Sequence, residues 1–77
     1  MISAMDTIEK VKAEYFVQTR ELLRNHPTEL KTFEELWTAE KLTAAYIFAQ
    51  EVTQKFCLVR SAASNKADED FFWTFIH

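Results

Sequence analysis

The stretch TAEKLTAAYIFAQEVTQKFCLVRSAA, Thr38 to Ala63, decides the fold. Leu42, Ala45, Tyr46, Ala49, Val52, Phe56, Val59 and Ala63 recur in it at steps of three and four residues, a spacing that an α-helix gathers onto one face. We read it as one long central helix over 38–63, with Thr38 as its cap and Ala39, Glu40 and Lys41 in its first turn. Phe48 joins the apolar face, which fills about half of the circumference, while Thr43, Gln50, Glu51, Gln54 and Lys55 face away. Two large apolar residues interrupt that polar side. Ile47 and Leu58 are about three turns apart, nearly in line on such a helix, and need cover from another surface. Glu51 and Lys55 have the spacing of a surface ion pair, which stabilises a helix by only about 0.3 kcal/mol.

On the N-terminal side, Ile8, Val11, Tyr15 and Leu22, flanked by Phe16 and Leu23, predict a half-buried helix that runs to about Arg24. Ser3 and Asp6 are its candidate N-caps, with Glu9 at capping-box spacing from Asp6. Asn25 suits a left-handed stop, and Pro27 blocks continuation. Pro27 also suits the start of a short second helix carrying Leu30, Phe33, Leu36 and Trp37 on one stripe, although Thr32 and Glu35 offer a competing start. On the C-terminal side, Ser64, Asn65 and Lys66 read as the stop of the central helix, with Asn65 left-handed. Asp68, Glu69 and Asp70 read as a cap and acidic first turn. The tail that follows, Phe71 to His77, is apolar on nearly every side in either a helix or a strand.

Composition supports a helical reading of the whole. The 77 residues include no glycine and one proline, which disfavours tight hairpins and therefore a sheet. The expected architecture is all-α: a single domain over 1–77, built as a small bundle of three main helices plus a short C-terminal helix. A chain of this size buries only about 60% of the surface that its unfolded form exposes, so its stability is marginal. Seven Phe, two Trp and two Tyr are hard to hide in so small a body, and some of them are expected at an interface.

The chemistry legible in the chain is mostly negative. Nine basic and twelve acidic residues are mixed along it, and no block is basic enough to form a nucleic-acid footprint. A helix-turn-helix over 28–54 would present Thr38, Ala39, Glu40 and Lys41 at its reading end, where base recognition calls for Arg, Lys, Asn or Gln. His26 lies in a turn and His77 at the terminus, so neither forms an acid–base pair in a pocket. One Cys and two His without helical spacing do not assemble a metal site. Cys57 has no Cys-x-x-Cys partner and reads as a small packing residue. A single cysteine suits a reducing compartment, and no apolar run is long enough to span a bilayer, so a cytoplasmic protein without cofactor or membrane contact is expected.

The expected function is a small non-enzymatic protein–protein interaction module, a regulator, inhibitor or adaptor, whose partner is another protein, itself as a homodimer, or both. Its contact residues would be Ile47 and Leu58 on the central helix, with Phe72, Trp73, Phe75 and Ile76 in the acidic-led aromatic tail. Leu42, Tyr46 and Ala49, followed by Trp73-Thr74-Phe75-Ile76, also resemble the order of landmarks in the last two helices of the Hha/YmoA family of small helical gene regulators. Gln50, Glu51 and Val52 stand where that family carries Asp-His-Arg. The resemblance implies a second expectation, a gene regulator that reaches DNA through a nucleoid-associated partner rather than by direct contact. A small-molecule carrier with an aromatic cavity between helices is a third.

Overall fold

The computed structural model describes residues 4–76, with side chains from Thr7 onward. Among the described residues there are four helices and no strand: α1 (Ala4–Leu22), α2 (Pro27–Thr38), α3 (Leu42–Lys55) and α4 (Ala62–Phe71), the last continuing into a π-helical turn over Phe72–Ile76. The all-α bundle is as the sequence indicates. The division of the chain among its helices is not.

The long central helix does not form. α3 stops at Lys55, and Cys57 takes a left-handed backbone with φ 53°. The N–H of Leu58 donates to the Thr53 carbonyl at 2.9 Å and that of Cys57 to Gln54 at 3.3 Å, the paired bonds of a Schellman stop. The same device ends α2. Glu40 sits at φ 60°, its N–H donates to Trp37 at 2.9 Å, and Lys41 donates to Leu36 at 3.0 Å. Thr38 therefore closes α2 instead of capping α3. A left-handed backbone costs a residue with a Cβ about 1–2 kcal/mol, and a chain without glycine bears that cost at both corners. The satisfied carbonyls and the packing of Leu36 and Leu58 against the core offset it.

After the second corner the chain reaches Ser61, whose extended backbone and Oγ, accepting from the Ser64 N–H at 3.1 Å, cap α4. Ser64, Asn65 and Lys66 are thus not a stop, and Asp68, Glu69 and Asp70 are not a cap: all six lie inside α4. Asn25 is not left-handed either, since Glu40 and Cys57 are the described positions with positive φ. α1 already includes Asp6, which removes that residue as its cap, and Ser3 lies outside the described residues. Pro27 does open α2, over a His26 that makes no side-chain cap bond.

α1 packs along α4, and α2 along α3. Tyr15, Leu23, Phe33, Ala45, Ala49, Val52 and Phe71 form one buried cluster, with the small alanines letting the α3 backbone approach its neighbours. Aromatic rings fill its centre. Tyr15 stacks on Phe71 with centroids 4.1 Å apart and on Trp37 at 5.8 Å, while Phe16 meets Phe33 at 5.9 Å and Trp37 at 5.1 Å. The Tyr15 hydroxyl is buried with them and makes no hydrogen bond of good geometry, receiving only weak support from Thr19 one turn on. Burial pushes its phenol well above the usual tyrosine range; Thr19 and Arg60 oppose the rise, and the Asp68 carboxylate and Tyr46 add to it.

Candidate functional site

A half-buried polar network fixes how α4 lies on α3. The Gln50 amide donates to Asp68 Oδ1 at 3.1 Å and Oδ2 at 3.3 Å, and to the Tyr46 hydroxyl at 2.8 Å. Arg60, from the corner before α4, donates to Gln50 Oε1 at 2.9 Å and to Thr53 Oγ1 at 3.4 Å, and it pairs with Asp68 at 3.6 Å. The Arg60 and Asp68 side chains are only 12% and 19% exposed, so charge-assisted bonds here are stronger than on an open surface. Gln50 stands opposite Asp68, and Tyr46 opposite Phe72, whose rings are 6.0 Å apart. The two helices therefore run antiparallel in a fixed register.

That register determines what the pair shows to solvent. In a helix, residues one position on from those facing a neighbour turn about 100° outward. Ile47 follows Tyr46 and is 50% exposed; Trp73 follows Phe72 and is 58% exposed. The π turn sharpens the sorting in the tail. With i→i+5 bonding, both the fourth and fifth residues after Phe71 return to its side, so Phe75 and Ile76 pack on the core, Phe75 at 4.8 Å from the Phe71 ring. Trp73 and Thr74 are left outside, with the Trp73 indole set edge-on to Phe72 at 5.3 Å.

The six expected contact residues thus divide. Ile47 and Trp73 are exposed on the outer side of the α3/α4 pair and Phe72 lies half-buried against Tyr46 beneath them, whereas Phe75 and Ile76 belong to the bundle. Leu58 does not lie in line with Ile47. It sits beyond the left-handed corner, packs on the core and borders a groove beside Gln18, Glu21 and Leu22 of α1. Cys57 is exposed at that corner rather than a packing residue, and Val59, read as part of the apolar face, is 90% exposed. His26 stacks on Phe56 at 4.2 Å, and His77 lies outside the described residues.

Two acidic residues flank the outer face. Glu51 is one turn from Ile47, and Glu69 is one turn from Trp73; both are exposed. The expected Glu51–Lys55 pair does not form, because the Lys55 ammonium lies over the Phe56 ring at 5.4 Å. Lys66 pairs with Asp70 at 3.2 Å and Arg60 with Asp68, so the cations of α3 and α4 are all engaged elsewhere. Among the described residues neither Glu51 nor Glu69 is in an ion pair.

The sequence reading missed Gln50, Arg60 and Asp68 because it placed the first on a solvent face and separated the other two by a helix stop. Ser61 with Ser64 three residues on was the one local signal for the true start of α4. Elsewhere the depressions are open surface grooves, such as one of about 310 Å³ between α1 and α4 floored by Val11, Ala63 and Ala67. No helix among the described residues is long and apolar enough to cross a membrane, and no described group of three His, Cys, Asp or Glu is placed to hold a metal ion. Comparison with known proteins brings no match from any family model, curated protein or solved structure, so the Hha-like order of landmarks gains no support from it.

Proposed function

We propose that this chain is a small non-enzymatic protein-interaction module, a regulator, inhibitor or adaptor, that docks a partner on the outer face of α3 and α4. The observation that carries this reading is Trp73. A large aromatic residue stands 58% exposed on a helix whose other side is locked into the core by Phe71, Phe75 and Ile76. Rigid aromatic anchors with little conformational entropy left to lose are the residues that dominate protein–protein affinity. Ile47 and Phe72 supply apolar surroundings for such an anchor, and the Gln50–Asp68–Arg60 network holds the two helices that present it. The single cysteine suits a reducing compartment, which fits a cytoplasmic module.

A photo-crosslinking residue placed at position 73, expressed in the source cells, should capture one discrete polypeptide. The same residue at Ala13, on the exposed side of α1, should not. Equal and diffuse labelling from both positions would count against the reading.

A further inference from the structure

We infer that the occupant of this face is a cationic amphipathic segment of another protein, an apolar stripe flanked by Lys or Arg. The inference rests on the docking role proposed above and adds the chemistry of the partner. Its basis is the mismatch between the cations and anions of α3 and α4. Lys55 covers Phe56, Arg60 is tied into the half-buried network, and Lys66 holds Asp70. Glu51 and Glu69 stand at the rim of the Ile47, Phe72 and Trp73 surface with no ion pair. These two carboxylates have no partner cation among the described residues of the free chain and gain one when a cationic segment docks. A second copy docked by a two-fold axis through the same face would bring four uncompensated carboxylates together. Like charges across a rim oppose that assembly.

The test uses the full chain and three synthetic helical peptides with one leucine stripe, rimmed by lysine, glutamine or glutamate. Binding is read by tryptophan emission, with Trp73→Phe separating the Trp73 signal from that of Trp37. The lysine-rimmed peptide should bind tightest and weaken as salt rises. Glu51→Gln with Glu69→Gln should weaken it roughly tenfold, two rim charges at about 0.7 kcal/mol each. Glu34→Gln with Glu35→Gln on α2 removes the same net charge elsewhere and should change affinity less than about twofold.

Equal affinity for all three peptides, abolished by Trp73→Ala, would overturn the cationic partner and leave the docking role standing. If no peptide moves the Trp73 emission and Trp73→Ala changes nothing, both fall. A dimer in sedimentation that Trp73→Ala disperses would make a second copy the occupant and overturn the inference.

Discussion

The two halves of α4 solve different problems with different chemistry. From Ser61 to Asp68 the helix is held by polar groups: a serine cap, the Ser64 side chain buried below it, and the Arg60–Asp68–Gln50 network that sets its register on α3. From Phe71 onward it is held by rings. Phe71 is fully buried on Tyr15, and two residues later Trp73 is exposed. The polar half specifies where the helix lies, and the aromatic half supplies most of the burial. Because the polar half fixes the rotation of the helix, it also determines which aromatic residue is left outside.

The sharpest way to break this division is at its aromatic end. Phe71→Ala removes a fully buried ring and should cost about 3–5 kcal/mol, enough to unfold much of a marginal domain, whereas Trp73→Ala should cost less than about 0.5 kcal/mol. Urea denaturation followed by circular dichroism separates the two. If Trp73→Ala proves as destabilising as Phe71→Ala, the outer face is part of the core and its role as a docking surface is lost.

At the polar end, Arg60→Met leaves the Asp68 carboxylate half-buried without its cation and should cost about 1–3 kcal/mol. Adding Asp68→Leu should return part of that loss, because the uncompensated charge is then gone. A double variant no better than the single one would show that the bonds through Gln50, rather than the ion pair, hold the register.

The two corners provide a gain of about 1 kcal/mol each. Glycine at position 57 or 40 relieves a left-handed Cβ, so Cys57→Gly and Glu40→Gly should each raise the urea midpoint. A fall in the midpoint at 57 would mean that the Cys57 side chain contributes more than its exposed position suggests.

The smallest effect at neutral pH lies under the junction of the two halves, at Tyr15. Its pKa is raised in the folded chain, so the folded state binds more protons than the unfolded state once the pH exceeds the ordinary tyrosine value of about 10. The stabilisation is complete below that pH and falls as pH rises above it, by up to about 1.4 kcal/mol per pH unit. Tyr15→Phe should be neutral to about 1 kcal/mol stabilising at pH 7 and should flatten the alkaline loss. Stability curves over the alkaline range for the two proteins check this.

The sequence by itself determined that this chain is helical, where its first two helices lie to within a few residues, and that it carries more aromatic surface than a small bundle hides. Those properties follow from periodicity, the absence of glycine, and Pro27, all of which act locally. Only the tertiary structure decided that the central helix ends at Cys57. No residue near that corner has an intrinsic taste for the left-handed region, whereas Asn65, which has one, sits mid-helix. The chain turns back at Cys57 because doing so lays Phe71 on Tyr15 and lets Arg60 and Asp68 meet Gln50, gains between residues distant in sequence that exceed the cost of a strained corner. The same packing sorted the tail: a run apolar on every side has no preferred face of its own, and the π turn on α3 put Phe75 and Ile76 inside and left Trp73 out.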